Sequence, residues 1–215
     1  MPQPDAYARE RRHMVESQLH NRGIRDERVL DAMLHVPRHQ FVPQQFAPRA
    51  YDDHPIPIAE NQTISQPFII AVSLQALALT GAESVLEVGT GSGYQTALLS
   101  VLARTIYSIE RYATLARSAE AILAQLGCNN VRVVIGDGSN GLREFAPYDA
   151  ILVSAAAPSI PRSLLEQLSG QGRMVVPVGP PQAQELQLVR KWQGEPVVQT
   201  LEGCRFVPLI GAEGY

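Results

Sequence analysis

The spacing of hydrophobic positions changes near residue 80 and divides the chain into two parts. Upstream, Asp26 stands where a helix N-cap belongs, because apolar residues follow it at helical spacing: Val29, Leu30, Met33 and Leu34. A similar stripe precedes it, and we expect the basic cluster beside that stripe, Arg9, Arg11 and Arg12, to lie on the solvated face of a helix. Five prolines between positions 37 and 57 then predict an ordered but irregular connector.

Downstream of residue 80, short apolar runs alternate with amphipathic segments. Four of the runs predict strands: Ser84–Val88, Thr105–Ile109, Val131–Ile135 and Ala150–Ser154. Helical spacing predicts three helices: one with Ala97, Leu98, Val101 and Leu102 on its apolar face, one from Leu115 to a C-cap at Gly127, and one opened by Pro161 and closed by Gly170. Further strand candidates follow closely: Arg173–Val178, Glu185–Arg190, Val197–Leu201 and Arg205–Leu209.

This alternation predicts an α/β fold, because strands separated by helices form βαβ units with a parallel sheet. The closely spaced strands near the C-terminus predict an antiparallel end to that sheet. We expect a single domain over residues 1–215, in which a helical and proline-rich N-terminal extension, residues 1–60, packs on a core of residues 61–215.

Composition narrows the class of protein further. With 45% hydrophobic and 18% charged residues, the chain is not of the disordered class. No apolar run is long enough for a membrane span, and the first 20 residues do not resemble a secretory signal, so we expect a cytoplasmic protein. A net charge of −3 gives no general attraction for nucleic acid or anionic membranes, and neither is expected as a partner. Cys128 and Cys204 match no zinc spacing, and no metal is expected.

The densest chemical signal lies between the first predicted strand and the helix after it, where Glu87 precedes three glycines, Gly89, Gly91 and Gly93. Glycines allow a sharp turn and a close approach of backbone to a ligand at the carboxyl ends of parallel strands. The spacing G-x-G-x-G differs from the G-x-G-x-x-G of dinucleotide sites. A carboxylate at Glu87 would repel a pyrophosphate but could pair with an ammonium or sulfonium group.

Two more carboxylates extend this signal. Glu110 ends the second strand, where an acidic side chain can accept from both hydroxyls of a ribose. Asp137, between Gly136 and Gly138, ends the third and can reach the amino group of an adenine. Together these positions describe a nucleoside ligand with a cationic tail, and S-adenosylmethionine fits that description.

The chain resembles the Rossmann-like S-adenosylmethionine-dependent methyltransferases, and within them the bacterial protein-L-isoaspartate O-methyltransferases. Four segments carry the resemblance, in the order in which the family has them: Val36–Pro43 (VPRHQFVP), Gln62–Pro67 (QTISQP), Leu86–Gln95 (LEVGTGSGYQ) and Arg205–Leu209 (RFVPL). The resemblance covers about residues 10–210. It departs mildly at Phe68–Ile70, where the wall of the pocket could differ.

The resemblance implies methyl transfer from S-adenosylmethionine to the free carboxylate of L-isoaspartyl residues in damaged proteins, which starts their repair and leaves S-adenosylhomocysteine. It implies that Ser65 orients that carboxylate and that Arg205, Val207 and Pro208 hold the substrate peptide along an edge strand. It also implies a cofactor site formed by the following residues: Gln62, Thr63, Ile64, Ser65, Glu87, Gly89, Gly91, Gly93, Glu110, Arg111, Asp137 and Gly138.

Four alternatives bear on these expectations. Ser65 could instead cap the helix that begins near Pro67. A nicotinamide-dependent oxidoreductase is disfavoured by the glycine spacing and by Glu87. A methyltransferase acting on RNA or a small molecule is disfavoured by the negative charge and the 6% of aromatic residues. A regulatory protein that kept the fold and lost the chemistry is disfavoured by the intact segment around Ser65. The histidines show no triad spacing, and none is needed, since a carboxylate is already ionised at neutral pH.

Overall fold

The structure, a computed structural model, describes residues 6–192 and 195–215. Residues 1–5 of the predicted extension therefore lie outside the described residues. The helices are α1 (Ala8–His13), α2 (Glu27–His35), α3 (Pro67–Leu77), α4 (Tyr94–Leu102), α5 (Ala113–Gln125) and α6 (Arg162–Gln167). The strands are β1 (Ile56–Pro57), β2 (Thr63–Ile64), β3 (Ser84–Val88), β4 (Thr105–Glu110), β5 (Val131–Ile135), β6 (Tyr148–Val153), β7 (Leu168–Val178), β8 (Gln184–Trp192) and β9 (Glu195–Cys204).

Seven strands form one sheet in the order β5-β4-β3-β6-β7-β8-β9. The pairs from β5 to β7 are parallel, whereas β7–β8 and β8–β9 are antiparallel. The predicted mixed sheet is thus confirmed. The chain order reverses between β3 and β6, and in open α/β sheets a ligand crevice forms at such a reversal, beyond the carboxyl ends of the strands.

The N-terminal extension is helical and irregular, as its sequence predicts. The Asp26 carboxylate accepts from the backbone N–H of Arg28 and Val29, so the predicted cap of α2 is confirmed. A π-helical and a 3₁₀ turn extend α1, and short 3₁₀ turns carry the chain past the prolines before β1. Apolar side chains of the extension belong to the same buried cluster as those of α3, α4 and the sheet.

Two predictions about exposure are wrong. Arg11 is only 9% exposed, because its guanidinium donates to the Tyr51 hydroxyl instead of facing solvent with its neighbours. Val101 is 56% exposed, on the outer side of α4. In both cases helical spacing alone did not show which side of the helix the rest of the chain covers.

One predicted helix boundary and one predicted strand are also wrong. Gly170 does not close a helix: α6 ends at Gln167, whose buried side chain bonds to the backbone of Asn140, Leu142 and Ser163, and β7 begins at once. Residues 205–209 do not form a strand. A single parallel bridge joins Pro208 to Ala156, through the Val207 carbonyl and the Leu209 N–H.

Candidate active site: two cavities that meet at two serines

A cavity of about 310 Å³ lies beyond the carboxyl ends of β3, β4 and β6. Most of its walls come from four stretches of chain, 62–65, 88–92, 109–112 and 207–210, and the rest from Ile70, Gln95, Gly138, Ser154 and Ala155. This volume is within the range of small-molecule sites. The cavity is therefore at the place where the strand order predicts a ligand.

The loop from Gly89 to Gly93 turns in a way that favours glycine. Gly89, Gly91 and Gly93 have φ values of +94°, +55° and +87°, a region that L side chains rarely adopt. A Cβ on Gly93 would also lie 3.0 Å from Cβ of Ala119 on α5. Gly89 and Gly91 line the cavity, whereas Gly93 lies behind it at the start of α4.

Glu110 is held at the end of β4 with its carboxylate on the cavity wall. One oxygen accepts from the Gly91 N–H at 2.8 Å and the other from the Tyr112 N–H at 2.9 Å. Each carboxylate oxygen can accept more than one hydrogen bond, so the group can still receive hydroxyls from the cavity. The neighbouring Arg111 also lines the cavity and donates to the Ile210 carbonyl at 3.1 Å.

Glu87 occupies a different place from the predicted one. Its side chain is 0% exposed and does not line the cavity, so it does not face the cationic end of a ligand directly. The Thr96 and Ser108 hydroxyls both donate to the same carboxylate oxygen, each at 2.6 Å. The amide nitrogen Nε2 of Gln95 donates to the other oxygen at 3.2 Å. Burial raises the pKa of Glu87 to about 7, against the opposing effect of these hydrogen bonds. Glu87 is a support beneath the loop.

Asp137 also differs from its prediction, since Gly138 lines the cavity and Asp137 does not. Its carboxylate accepts from Ser139, from Asn140 and from the N–H of Ala212 at 2.9 Å. Burial opposes ionisation, but these hydrogen bonds outweigh it and hold the pKa of Asp137 below its usual value. The carboxylate thereby fixes the C-terminal segment whose residues 207–210 wall the cavity.

A second cavity of about 420 Å³ opens beside the first. Arg205 and Phe206 line it from the C-terminal segment, and Pro55, Gln66 and Ile69 from the other side. Four residues line both cavities: Thr63, Ser65, Ser154 and Val207. Three of these four carry a hydroxyl, so the two cavities meet at a polar junction.

Ser65 lies at this junction without acting as a helix cap. The N-cap residue of α3 is Gln66, and its own side chain makes no capping hydrogen bond. Within the described parts of the chain no residue hydrogen-bonds with Oγ of Ser65. The backbone is nevertheless fixed, because the Arg38 guanidinium donates to the Ser65 carbonyl at 2.9 Å.

Comparison with known proteins agrees with this geometry. A family profile described as protein-L-isoaspartate(D-aspartate) O-methyltransferase matches residues 9–214. The protein-L-isoaspartate O-methyltransferase of Koribacter versatilis is 52% identical over 214 residues, which cover 100% of this chain and 96% of that protein. The protein of the same name from Syntrophus aciditrophicus is 50% identical over 98% of each chain. The chain belongs to the protein-L-isoaspartate O-methyltransferase family.

Solved structures carry the same fold. A protein-L-isoaspartate O-methyltransferase matches with a TM-score of 0.83 and 28% identity, over 95% of this chain and 67% of that one. A putative protein-L-isoaspartate O-methyltransferase from Plasmodium falciparum, in complex with S-adenosyl-L-homocysteine, matches with a TM-score of 0.82 and 25% identity, over 93% and 98%. The chain is thus an S-adenosylmethionine-dependent methyltransferase with a Rossmann-like sheet.

Sequence reasoning missed several residues of this methyltransferase site. Ser154 was predicted only as the end of a strand, and Gln95 only as part of a matching segment, yet both line the first cavity. Cys204 and Phe206 line the second. The strand order would have revealed Ser154, because the residue after β6 faces the loop after β3 once the two strands are known to be neighbours.

Two absences concern the described residues only. Within ranges 6–192 and 195–215, no helix is long and apolar enough to cross a membrane. The same residues hold no group of three histidine, cysteine or acidic side chains placed to bind a metal ion.

Proposed function

We propose that this chain methylates the free carboxylate of L-isoaspartyl residues at the junction of its two cavities, with Ser65 as the residue that orients the carboxylate. The observation that carries this proposal is the sharing of Ser65 by both cavities. A methyl donor in the first cavity and a peptide in the second can meet only where the cavities join. Family membership supplies the substrate class and the methyl donor.

The first cavity fits S-adenosylmethionine. Glu110 presents a carboxylate suited to ribose hydroxyls, and the backbone at Gly89 and Gly91 is open to close approach. The remaining wall residues proposed for this site are Gln62, Thr63, Ile64, Arg111 and Gly138. When bound, S-adenosylmethionine supplies a methyl group whose bond to sulfur breaks as the bond to the carboxylate oxygen forms, with the electron pair kept by sulfur and no proton transferred.

The protein's own contribution is mainly positional. An isoaspartyl carboxylate is ionised at neutral pH, so no general base has to activate it. The Ser65 hydroxyl has no other described partner and can donate to one carboxylate oxygen, which leaves the second oxygen free to attack. Holding reactants in line is worth up to ~7–11 kcal/mol of the barrier.

The C-terminal segment is proposed to hold the substrate peptide. Arg205 and Val207 line the second cavity, and Pro208 lines the first. Because this segment is not a strand, its contacts with the peptide are expected from side chains and exposed backbone more than from a regular ladder. We also propose that the chain acts in the cytoplasm as a single domain, without a nucleic-acid or membrane partner, since its net charge of −3 gives no general attraction for either.

The test compares two peptides that are identical except that one contains L-isoaspartate and the other L-aspartate. We expect methyl transfer to the isoaspartyl peptide and almost none to the aspartyl peptide, because the second cavity must accept a backbone that leaves through the side-chain carbonyl. S-adenosylhomocysteine should inhibit the transfer to the isoaspartyl peptide. Equal rates on the two peptides would reject the repair function while leaving the methyltransferase assignment intact.

A further inference from the structure

Ser154 has a fixed place at the reversal of strand order. It follows β6, and its backbone N–H donates to the Val88 carbonyl at 2.8 Å, which ties it to the end of β3. A Cβ built on Gly89 would lie 3.5 Å from Cβ of Ser154, so the glycine loop passes directly beside it. The side chain lines both cavities, as Ser65 does.

The Ser154 hydroxyl is an acceptor on its inner side. Gln95 Nε2 lies 2.6 Å from Ser154 Oγ, and an amide nitrogen donates but does not accept. The serine proton must therefore point elsewhere. In the part of the chain that the structure describes, no other group hydrogen-bonds with this Oγ. The hydroxyl proton of Ser154 therefore remains available at the junction, while its oxygen is held by the hydrogen bond from Gln95.

The buried Glu87 explains why the nitrogen of Gln95 faces Ser154. The same Nε2 donates to Glu87 Oε1 at 3.2 Å, while Thr96 and Ser108 occupy the other carboxylate oxygen. When Glu87 is ionised, an amide turned the other way would place its oxygen against the carboxylate. Glu87 and Gln95 together set the orientation of the Ser154 hydroxyl.

We propose that Ser154 is a second hydroxyl donor to the isoaspartyl carboxylate, with Gln95 and Glu87 as the residues that position it. This inference rests on the proposed function, because it places the carboxylate beside Ser65. Two donors at the junction can share the oxygen that does not attack, and so fix the rotation of the carboxylate as well as its location.

The first experiment uses the full chain and three variants, Ser154→Ala, Ser154→Thr and Ser100→Ala. Ser100 is a matched control, since among the described residues its hydroxyl bonds only within α4, to the Ala97 carbonyl. Ser154→Ala should lower kcat/KM for the isoaspartyl peptide by about 10–100-fold, the range for one hydrogen bond to a charged group. Ser154→Thr keeps the hydroxyl and should retain most activity, and Ser100→Ala should match the unmodified chain.

Calorimetry with S-adenosylhomocysteine separates this role from a structural one. We expect its Kd to stay within about 2-fold in Ser154→Ala, because the lost donor serves the peptide. Normal kcat/KM in Ser154→Ala would overturn the inference. So would a loss of S-adenosylhomocysteine affinity as large as the loss of kcat/KM, which would assign Ser154 to the cofactor or to folding.

A double-mutant cycle tests the positioning by Gln95. Gln95→Met should lower kcat/KM less than Ser154→Ala does, and the double variant should be no worse than Ser154→Ala alone. If the losses of kcat/KM in the two single variants multiply in the double variant, Gln95 does not act through Ser154. The parallel variant Ser65→Ala separates the two proposals: loss of turnover in Ser65→Ala with normal Ser154→Ala rejects only this inference, whereas normal turnover in both rejects the junction as the site.

Discussion

The two cavities are formed in different ways. The first surrounds the glycine loop at the ends of neighbouring parallel strands, and that loop lies within one short stretch of sequence. The second is lined by segments that are remote in sequence, near residues 55, 66 and 205. The proposed site of the methyl donor thus centres on a local motif, whereas the proposed site of the peptide depends on tertiary structure.

The glycine loop and the segment that carries Ser65 are also held by different parts of the fold. The glycine loop rests on the sheet: the Gly89 N–H donates to the Ile109 carbonyl at 2.8 Å. The segment that carries Ser65 rests on the N-terminal extension. The fully buried Arg38 joins the Ala50 and Ser65 carbonyls, at 2.7 and 2.9 Å. Burial lowers the pKa of Arg38 to about 10, which leaves it cationic at neutral pH. The extension therefore holds the backbone at Ser65 in place.

The largest expected effect is on the peptide side alone. Ser65→Ala should lower kcat/KM for the isoaspartyl peptide by ~10–1000-fold, if one positioned hydrogen bond is worth ~1.5–4 kcal/mol in the transition state. The free energy of unfolding and S-adenosylhomocysteine affinity should hardly change, since the side chain caps nothing. The loss should persist between about pH 6 and pH 9, because no base is involved. A variant that melts early yet turns over normally per folded molecule would restore the helix-cap interpretation.

The next effect concerns stability beneath the cofactor loop. Because burial raises the pKa of Glu87 to about 7, the folded chain binds a proton that the unfolded chain has lost, and stability falls as pH rises from about 4.5 to about 7. Glu87→Gln removes this titration. The unfolding free energy of Glu87→Gln minus that of the unmodified chain should therefore increase by on the order of 3 kcal/mol when the pH is raised from about 5 to about 8. Urea denaturation at both pH values measures it, with Glu120→Gln on α5 as the control.

Parallel pH curves for the unmodified chain and Glu87→Gln would show that the buried carboxylate is not titrating in this range. In that case the hydrogen bonds from Thr96 and Ser108 outweigh burial.

A smaller effect is expected on cofactor affinity. Glu110→Gln should weaken S-adenosylhomocysteine binding by ~1–3 kcal/mol, the range for hydrogen bonds to a charged group. Because Glu110 lines the first cavity only, KM for the peptide should change little at saturating methyl donor. Calorimetry measures the affinity. Unchanged affinity would remove Glu110 from the proposed cofactor site and leave the backbone contacts to carry it.

The sequence predicted the fold and the first cavity better than the second. The strands before and after Gly89 and the antiparallel end follow from short-range patterns that the structure confirms. Glu87 was placed on the cavity wall because spacing shows where a strand ends but not which way a side chain turns there. Residues 205–209 were predicted as the last of several closely spaced strands, yet β9 already ends the sheet and Pro208 lacks the N–H for a ladder. Ser154 was missed because its role depends on which strands are neighbours.

The smallest effect tests whether the extension serves the peptide side only. The Asp53 carboxylate accepts from the Phe68 N–H at 3.3 Å and from Gln66 Nε2 at 2.8 Å, and so caps α3 from outside. Asp53→Ala should cost ~0.5–2 kcal/mol of stability, as lost caps do. It should lower kcat/KM for the peptide by about 2–10-fold and leave S-adenosylhomocysteine affinity unchanged, because the turn after Ser65 loosens while the glycine loop does not. Asp52→Ala is the matched control, since Asp52 bonds only to exposed Arg49 and His54 among the described residues. If the two variants behave alike, the extension is a passive cover and the contrast between the two halves does not extend to function.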